Sequence, residues 1–258
     1  MDSLDSKEQT CKNCGQGFTG QFCNHCGQKI AHRITAKHVS HDVMHVFLHA
    51  DKGVFSFIQK IITSPGYLAA DYINGKRKMF NPYQYFILSV GLVLFMMSKA
   101  HFYENMESIN NSNASAMSKP LQNAMADFNH FIKTKGNLIS YITLPISALF
   151  SWIMFLKKGN NYAEHFTLLV FSTSQVNTFT IVLMGVSIVF NLSVYQSAAL
   201  TFCTGIISLT ITYQQFYSLK WLAALFKGVI VFLSFYLTEM IIMGIGFFLY
   251  ILLFVSFK

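Results

Sequence analysis

Charge is what this sequence has least of. Asp, Glu, Lys and Arg make up 12% of its 258 residues, where soluble domains carry roughly a quarter. That deficit excludes an ordinary water-soluble domain of this length. Cysteine is scarce outside one place: four of the five fall between Cys11 and Cys26, which argues against a disulfide framework spread through a secreted chain. The opening MDSLDSKEQTCKNCG has no apolar stretch, so no cleavable signal peptide is expected and the first apolar span is expected to serve as its own anchor. No interleaving of basic and aromatic residues points to nucleic acid as a partner. There is also no recognisable catalytic constellation.

What is present is apolar. Hydrophobic residues make up 53% and aromatics 16%, and the mean hydropathy is positive. Lipid is the expected solvent. The fold class read from this pattern is an all-α polytopic membrane protein of about five transmembrane helices, with a small N-terminal four-cysteine zinc-ribbon-like knuckle and interfacial amphipathic helices. Residues 1–10 read as disordered, 11–30 as the head, 35–82 as interfacial helices and 83–258 as the membrane domain. The spans fall at about 83–98, 137–156, 165–190, 194–213 and 228–257.

The head is CKNCGQGFTGQFCNHCGQKI, in which C-K-N-C-G-Q recurs as C-N-H-C-G-Q twelve residues later. Cys11, Cys14, Cys23 and Cys26 form two knuckles, each able to bring two thiolates to one ion. Gly15 and Gly27 allow the left-handed turn that aims amides at sulfur. Four thiolates make a closed tetrahedral site, and structural Zn²⁺ is the expected occupant; iron in the same geometry or an oxidised pair are the alternatives. Phe18, Phe22 and Ile30 are too small a core to fold twenty residues without the metal.

From Thr35, the spacing predicts a helix to about Thr63, broken by Ser64-Pro65-Gly66 and followed by a second helix ending near Gly75. His38, Asp42, His45 and His49, with His41 at the margin, lie opposite an apolar face on the first of these. They are a candidate second metal or proton site, against the plainer reading of a wet polar face. Lys76, Arg77 and Lys78 form a membrane-surface basic cluster.

Residues 101–136 read as a polar loop carrying a short amphipathic helix from about Lys119, with Leu121, Met125, Phe128 and Ile132 on one stripe. The middle of the third span is polar, and Gln175, Asn177 and Thr178, together with Glu239 of the fifth, are a candidate intramembrane polar site. Ser197, Thr201, Thr204, Ser208 and Thr212 line one face of the fourth, a helix-packing signature. Residues 1–82 hold ten Lys and Arg against six acids. With the N-terminus inside, seven basic residues flank the inner side and five the outer. The expectation is a bacterial cytoplasmic membrane, N-terminus cytosolic and C-terminus outside.

The CxNCG…CGQ head, the K-H-x-x-H-D-x-x-H-x-x-x-H-x-D-K-G stretch, SPG, and GKRKMFNP before an apolar span together resemble a bacterial family, the domain of unknown function 3667. That resemblance covers Cys11 to Ser98 closely. It implies a polytopic membrane protein with a zinc-ribbon-like head and brings no reaction or catalytic residue. The five-span, N-in arrangement is also similar to membrane proteins of the Yip family, by architecture alone. The functional expectation is a non-enzymatic module that binds a cytosolic partner at the zinc head or organises the lipid bilayer around it. A small-solute, ion or proton transporter and a membrane metal enzyme built on His38–His49 are the alternatives.

Overall fold

The computed structural model describes residues 8–35, 53–102, 104–105 and 119–254. Two short strands, β1 (Gln9–Thr10) and β2 (Gly17–Phe18), pair antiparallel in the head. Seven α-helices follow among the described residues: α1 (Val54–Thr63), α2 (Pro65–Ile73), α3 (Pro82–Lys99), α4 (Lys119–Met154), α5 (Tyr162–Phe190), α6 (Val194–Tyr217) and α7 (Trp221–Phe254).

Three of these, α5, α6 and α7, are long and apolar enough to cross a membrane. No more than a third of the most apolar window of each is buried within the protein. Leu222, Phe226 and Met240 are 76%, 69% and 71% exposed. Outward-facing apolar surface on that scale needs an apolar solvent. The chain thus has the character of a membrane protein, with three qualifying spans where the sequence suggests five. The other two expected spans fall on α3 and on the apolar stretch Tyr141–Met154 of α4. α3 spends its first turn on Pro82-Tyr83-Gln84-Tyr85, so its apolar run is short.

The helices alternate in direction. Tyr83 meets Thr167 (2.7 Å) and Ser89 meets Asn177 (2.9 Å), so α3 runs parallel to α5. Ser187–Ser197 and Ser172–Ser208 contacts (3.0 and 3.3 Å) set α6 antiparallel to α5. α7 returns along α6, where Gly205 leaves room for the Phe232 ring that any Cβ would displace. Left-handed Asn191 and Ser218 make the two tight turns between these helices.

One expectation is corrected. The amphipathic helix expected from about Lys119 and the second span are a single element, because α4 runs unbroken from Lys119 to Met154. The cause is α7, antiparallel beside it. Phe128 packs on Phe247 with centroids 5.2 Å apart, and the Tyr250 hydroxyl donates to Asp127 at 2.9 Å. Phe128 of the apolar stripe faces a partner helix, and Gly136 alone does not stop the helix. The fifth span, expected from about 228, begins earlier, because α7 starts at Trp221.

α1 and α2 form a short helical hairpin. It reaches in from the head, turns at Ser64, and comes back to the head at Gly75. Phe57, Tyr72, Phe80, Tyr85 and Phe171 pack ring on ring between the hairpin, α3 and α5, with centroids 5.1–6.4 Å apart. The hairpin's tip lies beside Gln175, midway along α5.

Candidate metal centre and its seat

The repeat seen in the sequence is a repeat of hydrogen bonds. In the first knuckle Cys11 N–H donates to the Gln16 carbonyl and Gly15 N–H to the Cys11 carbonyl. In the second, Cys23 N–H donates to Gln28 and Gly27 N–H to Cys23, all at 2.8–2.9 Å. Gly15 and Gly27 adopt φ of +76° and +74°, a conformation costly for a residue with a Cβ. The two loops face each other. Cys11 Sγ lies 3.6 Å from Cys26 Sγ, Cys14 Sγ 3.6 Å from Cys23 Sγ, and all four sulfurs fall within 4.8 Å of one another. A disulfide would need about 2.05 Å, and all four cysteines are free. Tetrahedral coordination with metal–sulfur bonds of about 2.3 Å puts sulfurs roughly 3.8 Å apart. The cluster fits a tetrahedral metal ion.

The electrostatics of the four thiols suit one. The Gln28 N–H, with the neighbouring Cys11 and Cys14 thiols, brings the Cys26 thiol down to about 6. The Cys26 and His25 N–H groups lower Cys23. The Gln16 N–H acts on Cys14 in the same sense, yet burial and the three thiols around it leave Cys14 pushed up to about 12. Four thiolates this close repel one another, and only a bound cation lets all four ionise. The site is closed, with no histidine or carboxylate completing it among the described residues.

The head does not hang free. Gln28, 9% exposed, donates its Nε2 to the Gly75 carbonyl (2.7 Å) and accepts the Arg77 N–H (3.0 Å). Lys78 Nζ donates to the Cys26 carbonyl at 2.6 Å, and the Arg77 guanidinium donates to His32 O at 2.6 Å while stacking over Tyr72. Lys76 pairs with Asp71 at 2.8 Å. Two of the three residues of the basic cluster therefore hold the head. On the other side Arg33 grips Glu164 through Nε (2.7 Å) and a second guanidinium nitrogen (3.1 Å), and also donates to Gly159 O. Glu164 completes a capping box with Asn161 at the start of α5, and Asn161 Nδ2 donates to Ile34 O. The metal loops are thus fastened to both α2 and α5.

The remaining candidates separate. His38, His41, Asp42, His45 and His49 lie outside the described residues. Gln175, Asn177 and Thr178 lie close together on α5, each bound across a helix contact: Gln175 Nε2 donates to Ile62 O (2.7 Å) and its Oε1 accepts from Ser208, Asn177 donates to Ser89, and Thr178 meets the Tyr85 hydroxyl (2.7 Å). Asn177 also borders a cavity of about 190 Å³ between the long helices, shared with Ser147, whose buried hydroxyl has no partner. Glu239 does not line that cavity and has no hydrogen-bond partner among the described residues.

Sequence reasoning missed two groups. Gln28, Arg33 and Glu164 act across more than 45 residues of chain, where no local pattern shows. The second is His165, with Nδ1 2.9 Å from Ser151 Oγ and Nε2 3.1 Å from the Tyr217 hydroxyl, while Tyr213 donates to Ser151 at 2.8 Å. Ser151 beside His165 has the makings of a nucleophile and base, but both are fully buried. No substrate reaches them, and the network pins α4, α5 and α6 together.

No family model, curated protein or solved structure matches the chain.

Proposed function

We propose that this chain is a non-enzymatic, multi-pass protein of a bacterial cytoplasmic membrane, in which a structural zinc knuckle on the cytosolic face organises the membrane helices and presents a rigid surface to a partner. The carrying observation is the closed four-sulfur cluster fastened on both flanks to the helices. A closed site lacks the open position that catalytic zinc keeps for water or substrate. Zinc is the preferred ion because the sulfur-only, tetrahedral arrangement suits it, and metal binding supplies the folding energy that so small a core lacks. The up-and-down course of α3 to α7 favours five spans with the N-terminus inside and the C-terminus outside. The resemblance to the domain of unknown function 3667 belongs to the same reading.

Transport is the second reading. The cavity bordered by Asn177 and Ser147 speaks for it, while Glu239 stands apart from that lining.

Elemental analysis of the purified protein tests the proposal. One zinc per chain is expected, lost in Cys14→Ser and retained in His45→Ala. A second metal that disappears with His41→Ala and His45→Ala would replace this reading with a membrane metal enzyme.

A further inference from the structure

Between the head and the α1–α2 hairpin lies an open cleft of about 700 Å³. Its rim carries Lys29, Lys60, Arg77 and Lys78, and among the described residues no Asp or Glu lines it. Lys29 and Lys60 have no ion pair among the described residues. Lys78 and Arg77 donate to neutral carbonyls, and among the described residues no carboxylate pairs with either. Asp71, an acid of the neighbouring α2, is taken by Lys76. Arg77 adds a separate sign: its Nε is buried without a hydrogen-bond partner among the described residues. A buried guanidinium donor left unpaired is costly unless an acceptor completes it.

The floor of the cleft is different in character. Ile30, Phe57, Leu68 and Met79 line it. A small inorganic anion would fill little of this volume and touch none of that surface. A cationic rim over an apolar floor, at the base of membrane helices, matches a phosphate attached to an apolar or glycerol-like body.

We propose that this cleft is a binding site for a phosphate-bearing headgroup, with the phosphate held by Lys29, Lys60 and Arg77 and the rest of the ligand on the apolar floor. The inference goes beyond the structural role of the metal, and its ligand contacts none of the four cysteines. The phosphate comes either from an anionic phospholipid of the facing leaflet or from a soluble phosphate ester, and these are separable.

The test is calorimetric titration of the full chain in neutral detergent with dioctanoyl phosphatidylglycerol, dioctanoyl phosphatidylcholine and glycerol 3-phosphate. Saturable binding of phosphatidylglycerol is expected, with phosphatidylcholine at least about tenfold weaker. Removing two of the uncompensated charges in Lys29→Gln/Lys60→Gln is expected to weaken it roughly tenfold or more. Lys76→Gln, on the same surface but paired outside the cleft, is expected to leave affinity unchanged. Both lysines are exposed and unpartnered, and an unchanged metal content in the double variant shows the head still folded. Glycerol 3-phosphate binding as tightly as the lipid assigns the site to a soluble ester, and weak binding assigns it to lipid. The inference is overturned if neither ligand saturates, if the double variant binds like the parent, or if Lys76→Gln weakens binding equally.

Discussion

Gln28 shows how much a single side chain settles here. It lies two residues beyond Cys26, and its amide spans from the Gly75 carbonyl to the Arg77 N–H. Gln28→Leu keeps the volume but orphans a carbonyl and an amide at a buried contact. The expected cost is about 1–3 kcal/mol of head docking, with faster hydrogen exchange at the Arg77 amide and no loss of metal. Unchanged exchange there would show that Gln28 does not secure the head, leaving Lys78, the Arg77 guanidinium, Asn161 and the Arg33–Glu164 pair to hold it. The cysteine cluster was legible in the sequence because its ligands are local and repeat every twelve residues. Gln28, Arg33 and Glu164 were not, because their partners lie 47 to 131 residues away. The basic run Lys76-Arg77-Lys78 was legible as charge but not as a seat for the head. Its use depends on backbone carbonyls, which every sequence has.

At the scale of elements, the α1–α2 hairpin carries the hardest problem. A helix break within a bundle leaves its last carbonyls and first amides without intrahelical partners, and an apolar setting offers no water to replace them. Two glutamines solve it. Gln175 donates to Ile62 O, while Gln215 donates to Thr63 O (3.3 Å) and accepts from Gly66 N–H (3.0 Å). Gly66 lets α6 approach closely, since a Cβ there would land on the Thr212 carbonyl. The Ser-Pro-Gly break itself was readable from the sequence, and α1 ends at Thr63 with Pro65 opening α2, as the spacing predicts. The role of Gln175 was not readable. A polar residue in an apolar run looks the same whether it lines a pathway or caps a broken helix. Gln215→Ala leaves both Thr63 O and Gly66 N unpaired, and a loss of about 1–3 kcal/mol is expected, seen as a lower Tm in detergent. Gln215→Glu keeps the acceptor for Gly66 but not the donor to Thr63, so its Tm is expected to fall between the two. If Gln215→Ala melts with the parent protein, the hairpin tip is not capped in this way.

On the scale of the whole molecule, helix lengths and charges set where a bilayer would lie under the proposed topology. At 1.5 Å per residue the 36 residues of α4 extend about 54 Å and the 34 of α7 about 51 Å, while a bilayer core is about 30 Å thick. On the proposed five-span topology the pair stands about 20 Å clear of the hydrocarbon at one end. Lys158, Arg33 with Glu164, and Lys227 over the Phe155 ring at 4.0 Å all gather at the end that carries the head. On the proposed topology that end lies at the membrane surface and the surplus lies opposite, where Asp127 meets Tyr250. The sequence hid this because the outer part of α7 is as apolar as its middle, and only its pairing with the more polar start of α4 sets the level. With the N-terminus inside, the paired outer ends project outside the cell. In a Cys203→Ser background, a cysteine placed by Gln122→Cys is expected to react with a membrane-impermeant maleimide added to intact cells. One placed by Lys158→Cys is expected to react only after the membrane is opened. The reverse pattern would invert the molecule and move the metal head outside. Labelling of both from outside would mean that α4 does not cross the bilayer, leaving α5, α6 and α7 as the spans.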